Sequence, residues 1–335
     1  MNYKHNTVKV AILSFALLLM SCHKKTHNSI GISDLKISRI EYCQIADSFS
    51  IPLPFNLWDW KILADDAIVF FSHDMDSYCT IYDCEDSGVK YTMAPKGKGK
   101  DEYITCNWCK TLDKNTIALY DMMRQTLNLY DTDKNEYQKK VSYLLPTDKD
   151  CLTRPYTNIT QYDGSKFLMK EDGVETNLRL IDLDGNNEIA SYHCGLRDGK
   201  EGPYTPYDYL FHFINDKIVV SYCYYDRIEI LQIRDNKISP IAVFGEDETF
   251  VIPENYDELK YHSLDIETKA NCFYILRSSD GSEDGDEILV FNIEDNDFSL
   301  IKLPNKIKLF EFDRAGALVG YNESDTGTII YKYNL

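Results

Sequence analysis

The sequence predicts an all-β fold, a six-bladed β-propeller with four strands per blade. Two short β-branched and aromatic strands joined by a polar turn recur along the chain. The first strand of each pair begins at Ala67, Thr116, Lys166, Lys217, Cys272 and Ala317, in steps of 49, 50, 51, 55 and 45 residues. An even repeat of about 40–50 residues with four strands per unit is typical of propellers.

The four strands of each repeat, which we call A to D, can be placed in order. Strand B is the marker, as in Thr116–Asp121, and strand C follows it, as in Thr126–Asp131. A turn rich in Asp and Asn usually comes next, because these residues tolerate left-handed backbone and reverse the chain. Strand D follows that turn, and strand A comes after a long loop, just before the next marker.

The sixth repeat lacks a strand D, because the sequence reaches Leu335 directly after its strand C. We expect the N-terminal segment Asp34–Tyr42 to pair beside Thr328–Tyr333 and so close the ring without an open edge. Two alternatives are a seven-bladed ring with one degenerate unit and a stacked β-sandwich. The even spacing argues against the sandwich.

Composition fits one propeller domain spanning residues 34–335. The 335 residues include 25 Tyr and 15 Phe, flat side chains that favour strands and fill the space between packed sheets. The net charge of −18 argues against nucleic acid as a partner, because phosphate binding needs Lys and Arg. The excess of acidic residues is more simply explained by acids on solvent-exposed outer loops, which keep the protein soluble.

Residues 1–21 have the pattern of a secretory signal peptide, a basic leader followed by a short apolar core. The sequence Leu19-Met20-Ser21-Cys22 resembles the bacterial lipoprotein signal. That resemblance implies cleavage before Cys22, lipidation of Cys22 and a polar tether over residues 22–33. An ordinary secreted signal with a chance cysteine is the alternative. Because His23, Lys24 and Lys25 rather than acids directly follow Cys22, we expect an outer-membrane anchor on the periplasmic rather than the surface side.

The loop Gly97–Tyr103, GKGKDEY, has the pattern G-x-G-x-x-E-aromatic, and Gly199–Tyr204 is a looser copy. Together with the repeats and the signal, it resembles the TolB-like six-bladed β-propeller lipoproteins of Bacteroidetes. The resemblance covers the mature chain and implies the fold and the anchor, but no activity. Because the loop leads into a strand, we interpret its glycines as a tight turn and not as a nucleotide loop.

One face of a propeller carries the D–A and B–C connections, and we expect ligands there. Aromatic and arginine side chains on these connections could stack on a glycan or bind the carboxylate of a peptide. The candidate ligand-binding residues are Tyr103, Arg124, Arg154, Tyr156, Arg197, Tyr204, Tyr207, Tyr224, Tyr225 and Arg227. The alternative is that Tyr is abundant and only packs the loops.

No cofactor is expected, and the metal signal is weak. Asp280, Asp284 and Asp286 have the spacing of half a calcium loop, but Phe291 stands where a bidentate Glu is needed. A solvated acidic turn fits as well. Cys106 and Cys109 form a C-x-x-C on a predicted strand, where they should point to opposite faces, which disfavours a redox or zinc pair.

The sequence therefore favours a non-catalytic binding or scaffold protein of the envelope, with a glycan, a peptide or an envelope protein as partner. The alternative is an exported hydrolase or lyase with its site at the channel mouth, and the fold supports both. Two or three carboxylates or histidines converging on the axis with perturbed pKa values would favour the enzyme. A large exposed apolar patch would instead favour a structural partner of a complex.

Overall fold

A computed structural model describes residues 35–51, 57–64, 66–84, 88–110, 114–132, 138–145, 156–171, 177–194, 208–245, 258–324 and 327–335. These residues form 25 β-strands and their turns, so the fold is all-β as predicted. No helix in these ranges is long and apolar enough to cross a membrane. Residues 1–34, which include the predicted signal, Cys22 and the tether, lie outside the described part of the chain.

The strands form four-stranded antiparallel units in chain order, and we number the units 1 to 6. Unit 1 comprises β3 (Leu57–Ile62), β4 (Ile68–Ser72), β5 (Ser77–Asp83) and β6 (Gly88–Pro95). Unit 2 comprises β7 (Cys106–Lys110), β8 (Thr116–Asp121), β9 (Thr126–Asp131) and β10 (Gln138–Leu144). Unit 3 comprises β11 (Tyr156–Asp163), β12 (Lys166–Glu171), β13 (Asn177–Asp182) and β14 (Asn187–His193).

The second half of the chain continues the same order. Unit 4 comprises β15 (Tyr209–Ile214), β16 (Lys217–Tyr222), β17 (Arg227–Arg234) and β18 (Lys237–Gly245). Unit 5 comprises β19 (Ser263–Lys269), β20 (Cys272–Arg277), β21 (Gly285–Asn292) and β22 (Asp297–Ile307). Unit 6 comprises β23 (Leu309–Phe312), β24 (Leu318–Ser324), β25 (Gly327–Asn334) and the N-terminal β2 (Gln44–Ile51), while β1 (Ile37–Tyr42) is a fifth strand on unit 5.

The sheets are arranged in a ring, as in a propeller. Units 1, 4, 5 and 6 are separate sheets, whereas units 2 and 3 share one eight-stranded sheet. This continuity arises because β7 and β11 pair in parallel, with Cys109 opposite Ile159 and Lys110 opposite Thr160. The described residues therefore form five sheets, and the number of separate blades stays a prediction at this point.

The N-terminal segment pairs differently from the expectation. The strand beside β25 is β2, with Ile51 opposite Thr328 in antiparallel register, so the assignment of this place to Asp34–Tyr42 was wrong. β1 instead pairs in parallel with β22, with Ile40 opposite Leu300. The reason lies in the packing of each strand. Ile51 of β2 lies in the core between units 6 and 1, while Ile37 of β1 packs against the core between units 4 and 5.

The hydrophobic core is divided into layers between the units. Among the described residues, six clusters of buried side chains each join two consecutive units, including units 6 and 1. In that last layer the rings of Trp60 and Tyr321 lie 6.1 Å apart between centroids. Aromatic rings fill such flat spaces between sheets well. The abundant Tyr and Phe therefore have the packing role that the composition predicted.

The cysteines of β7 confirm a local prediction. Cys106 packs in the layer between units 1 and 2, and Cys109 packs in the layer between units 2 and 3. The two side chains thus point to opposite faces of the strand. No disulfide joins the eight cysteines of the described residues.

Candidate functional site

Charged side chains from the first strands of the units meet at the centre of the ring. They come from β3, β7, β15, β19 and β23, and we call them the central cluster: Asp59, Lys61, Lys110, His212, Asp265, Glu267 and Glu311. Units 2 and 5 lie on opposite sides of the ring, so contacts between them cross its axis.

Lys110 makes this crossing. Its Nζ atom lies 3.1 Å from Asp265 Oδ1 and 2.5 Å from Glu267 Oε1, and it donates to the carbonyl oxygen of Ile266 at 3.2 Å. The side chains of Lys110, Asp265 and Glu267 are 14%, 6% and 12% exposed. Burial alone lowers the pKa of Lys110, but the two carboxylates more than offset it and hold that pKa well above its ordinary value.

Two acids of the central cluster have pKa values above their ordinary range. Burial raises the pKa of Asp59 to about 6 against the attraction of Lys110, and the charge of Asp265 adds to the increase. Burial likewise raises the pKa of Glu267 well above its ordinary value, with Lys110 opposing and Glu311 adding to it. Carboxylates with perturbed pKa values therefore converge on the axis, which is the arrangement expected of an enzyme site.

The remaining bases of the cluster are already engaged. Lys61 Nζ donates to the carbonyl oxygen of Thr116 at 3.1 Å. His212 is 3% exposed, and its Nδ1 accepts a hydrogen bond from the backbone N–H of Phe213 at 2.9 Å. Burial, assisted by the positive charge of Lys110, lowers the pKa of His212 to about 3, so the imidazole is neutral at ordinary pH. Lys61 and His212 thus have backbone partners, and both side chains are buried.

A second feature is a cavity of about 370 Å³ between units 4 and 5. Its apolar floor is formed by Ile37, Leu289 and Leu300. Its polar rim includes Asp226, Lys260, His262 and Arg277, together with the turn Ser278–Gly281. The rim comes from the B–C turns of units 4 and 5 and the connection between those units, so the cavity opens on the face where ligands were expected.

The carboxylates around this cavity have cations of their own. Arg277 Nη2 donates to Asp226 Oδ1 at 2.5 Å, and Lys306 Nζ donates to Asp280 Oδ2 at the same distance. Glu287 on the wall is paired with Lys302. Lys260 is exposed and forms no salt bridge with a described residue.

The imidazole of His262 also lies on the rim. Its Nδ1 is 3.7 Å from Asp226 Oδ1. Burial lowers the pKa of His262, Asp226 opposes that change, and the positive charges of Arg277 and Lys260 add to it. The side chain is therefore neutral at neutral pH.

The loop Gly97–Tyr103 is a tight turn, as the sequence indicated. Its ends pair through Lys96 and Tyr103, and Gly99 N–H donates to Glu102 Oε2 at 2.7 Å. Arg124 Nη2 donates to the carbonyl oxygen of Gly99 at 2.7 Å. The motif's glutamate and Arg124 therefore hold the turn together.

Several predicted binding residues are buried in packing layers. Tyr103 is 4% exposed, and its hydroxyl lies 2.6 Å from the hydroxyl of Tyr130. Tyr156 is 8% exposed in the layer between units 2 and 3, and Tyr225 is buried between units 3 and 4. Arg227 Nε donates to Glu229 Oε1 at 2.8 Å. The structure does not bring these four side chains together.

Tyr224, one of the predicted residues, packs beside the rim of the cavity. Its ring centroid lies 5.0 Å from that of Tyr261, which stands between Lys260 and His262 of the rim. The other candidate binding residues lie outside the described part of the chain, namely Arg154, Arg197, Tyr204 and Tyr207. Arg277 and Lys260 could not be identified from the sequence, because the cavity is formed by three loops that are separated along the chain.

The weak calcium candidates have hydrogen-bond partners within their own turn. Asp280 accepts from the N–H of Ser282 at 3.1 Å, and Asp286 accepts from the hydroxyl of Ser279 at 2.6 Å. The hydrogen bonds from Lys306 and Ser282 hold the pKa of Asp280 below its ordinary value. Within the described ranges, no group of three His, Cys, Asp or Glu residues could hold a metal ion.

Comparison with known proteins identifies the fold alone. No family model matches the sequence, and no curated protein matches it either. A member of the DUF4221 family from Bacteroides vulgatus is 11% identical, covers 87% of this chain and 97% of its own, and has a TM-score of 0.56. A Bacteroides fragilis protein to which export has been attributed is 11% identical, with 89% and 98% coverage and a TM-score of 0.56.

A eukaryotic propeller is similar to the same extent. The β-propeller domain of Cps50 (Swd1) from Myceliophteria thermophila is 12% identical, covers 88% of this chain and 99% of its own, and has a TM-score of 0.53. At such identities the likeness extends to the β-propeller fold and not to a function.

Proposed function

We propose that this chain is a lipid-anchored, six-bladed β-propeller of the bacterial envelope that binds a ligand without catalysis. The ligand is a glycan, a peptide or a protein partner, held on the face of the D–A and B–C connections. The observation that carries the proposal is the cavity of about 370 Å³ on that face. Its size falls within the range of about 300–1,000 Å³ common for small-molecule sites, and it combines an apolar floor with a few polar groups.

Six blades are supported by the packing layers. Each of the six clusters in the described residues joins one unit to the next, so units 2 and 3 have a core between them although they share a sheet. Only two residue pairs link β7 to β11, which is fewer than neighbouring strands within one unit share. If each blade is defined by the hydrophobic layers on its two sides, the described residues support six blades.

Export and anchoring are supported by the N-terminus and by the likeness to the two Bacteroides proteins. The signal-like residues 1–21 precede Cys22, which would carry the acyl chains. Acyl chains add about 0.8 kcal/mol per buried methylene, so a multiply acylated Cys22 would anchor the protein firmly. We place it on the periplasmic side of the outer membrane and group it with the TolB-like propeller lipoproteins.

A binding role is favoured over catalysis by the central cluster. Asp59 and Glu267 have the raised pKa values of catalytic groups, but Lys110 pairs with Asp265 and Glu267, and these side chains are nearly buried. A substrate would have to displace an ion pair that crosses the ring. Removing charges from such a pair costs several kcal/mol.

Thermal unfolding of the full-length chain in detergent micelles tests the proposal. Envelope glycans and peptides are added separately, with calcium and EDTA as further arms. A ligand at a hundred times its dissociation constant stabilises the folded state by about 2.7 kcal/mol, which shifts the midpoint measurably. We expect a shift with a glycan or a peptide and no turnover of it. Turnover that is abolished in Asp59→Asn would contradict the proposal and favour the hydrolase or lyase alternative.

A further inference from the structure

We infer that the cavity between units 4 and 5 binds a small organic carboxylate, whose charged end contacts Arg277 and Lys260 and whose apolar part lies on the floor. This inference rests on the proposed function and names the class of ligand for the same site. Three observations carry it: unused donors on the rim, local charge balance, and the apolar floor.

Arg277 has donors left over. Its Nη2 donates to Asp226 Oδ1 at 2.5 Å, and its Nε makes only a long contact of 3.5 Å with the carbonyl oxygen of His262. Its Nη1 donates to none of the described residues. The side chain is 11% exposed, so these N–H groups stand on a cavity wall rather than in bulk water. A guanidinium with free donors in such a place is suited to a planar oxyanion.

Asp226 also orients this guanidinium. Because the carboxylate binds Nη2, the plane of the Arg277 head is fixed before a ligand arrives. A donor that is already oriented loses less conformational entropy when it binds.

The acids that line the cavity are compensated by cations, so an anion can bind there although the whole chain has a net charge of −18. Asp226, Asp280 and Glu287 are each paired with a cation. The ammonium of Lys260 is the charge left without a salt bridge among the described residues of the rim. One uncompensated positive charge matches a monoanion such as a carboxylate, whereas a phosphate dianion would need two.

The apolar floor of the cavity favours a ligand that has an apolar portion next to its carboxylate. Leu289 is buried and Leu300 and Ile37 are partly buried, and all three line the cavity opposite the polar rim. Apolar surface removed from water there contributes roughly 25 cal/mol per Å². A ligand with a short aliphatic or aromatic portion next to its carboxylate would use both sides, whereas inorganic phosphate would use only the rim.

Calorimetric titration of the full-length chain in detergent micelles tests this class. The probes are phenylacetate, phenylacetamide, phenethylamine and inorganic phosphate. We expect phenylacetate to bind, and the neutral amide to bind at least about tenfold more weakly, because it loses a charge-assisted pair of hydrogen bonds. Equal binding of the acid and the amide, tighter binding of the amine, or binding of phosphate alone would each overturn the inference.

Variants locate the site. Arg277→Gln should weaken phenylacetate binding by about ten- to a hundredfold. Lys260→Gln should weaken it severalfold, and Arg277→Lys, which keeps the charge but loses the fork, should give an intermediate affinity. The matched control is Arg234→Gln, since Arg234 is 80% exposed and lies outside the cavity. If Arg277→Gln does not fold, Lys260→Gln, at an exposed position, still decides the question.

The result separates this inference from the function on which it rests. If phenylacetate does not bind but a glycan or peptide shifts the unfolding midpoint, and Arg277→Gln leaves that shift intact, the carboxylate assignment fails and the binding function stands. If no compound of either series binds, both fail. Unchanged phenylacetate binding in both Arg277→Gln and Lys260→Gln would place the carboxylate elsewhere and overturn the inference.

Discussion

The ammonium of Lys110 in unit 2 lies 2.5 Å from Glu267 Oε1 in unit 5, so one ion pair joins opposite sides of the ring. A propeller is held together mainly by contacts between neighbouring sheets. This pair adds a direct connection across the centre, and the hydrogen bond from the N–H of Phe310 to Asp265 Oδ2, 3.0 Å long, extends it to unit 6.

Removing the cation of this pair should destabilise the fold strongly. In Lys110→Met, the buried carboxylates of Asp265 and Glu267 lose their partner. Breaking a buried ion pair from one side costs about 3–5 kcal/mol. We expect a loss of that size in the free energy of unfolding, measured by urea denaturation of the full-length chain.

The control for this variant is Arg234→Met. Arg234 and Asp235 form an ion pair whose side chains are 80% and 89% exposed, and exposed pairs contribute little. We expect almost no change there. A loss below about 1 kcal/mol in Lys110→Met would mean that the pair does not hold the ring together.

The central cluster also makes stability depend on pH. The pKa of Asp59 is about 6 in the folded chain, above its ordinary value of 3.8. The folded state therefore binds this proton more tightly than the unfolded state does. The resulting stabilisation is fully present below about pH 4 and is lost as the pH rises through about 6, at roughly 1.4 kcal/mol per unit of pKa difference.

Asp59→Asn should remove this dependence, because the amide oxygen can still accept the N–H of Trp60, as Asp59 Oδ1 does at 2.8 Å. We expect the difference in unfolding free energy between the native chain and the variant to favour the native chain increasingly as the pH falls from about 6 to about 4. A difference that is constant over this range would contradict the assigned pKa.

The fold was predictable to a large extent because its signal is local. Each predicted strand B and strand C overlaps a strand of the structure, and some, such as Thr116–Asp121 and Thr126–Asp131, have the predicted bounds. Turn chemistry and strand propensity act over a few residues, so the sequence shows them directly.

The sites were less predictable because they depend on which loops meet. Lys260 and Arg277 belong to one cavity with Asp226, yet nothing in the spacing of these residues indicates it. The central cluster did leave a signal, since Asp59 and Lys61, like Asp265 and Glu267, are charged residues two apart on the first strands of units 1 and 5. Two residues apart on a strand means the same face. Their partner Lys110 could be found only from the closed ring.

Backbone geometry beside the cavity gives a third prediction. Gly245, at the end of β18, has φ of +99°, and a Cβ atom there would lie 1.9 Å from the carbonyl oxygen of Asp226. Gly245→Ala should therefore force the Asp226 turn to move and destabilise the fold by more than the roughly 1–2 kcal/mol of a left-handed alanine alone. Thermal unfolding measures the loss.

Gly164→Ala is the matched control for that substitution. Gly164 also has a positive φ of +54°, but a Cβ atom there would meet nothing within 4 Å. Its cost should be limited to the backbone preference. Equal losses of stability in the two alanine variants would show that the close approach of Gly245 to Asp226 does not affect the stability of the fold.

The pairing of the N-terminus gives the last prediction, since β2 and not β1 completes unit 6. Ile51 of β2 is fully buried in the layer between units 6 and 1, whereas Ile40 of β1 is 53% exposed. Ile51→Ala should cost about 2–5 kcal/mol through lost burial and a residual cavity. Ile40→Ala should change stability by less than about 0.5 kcal/mol, as is usual at the surface. Urea denaturation of both variants compares the two strands, and a larger loss in Ile40→Ala would favour the pairing that the sequence first indicated.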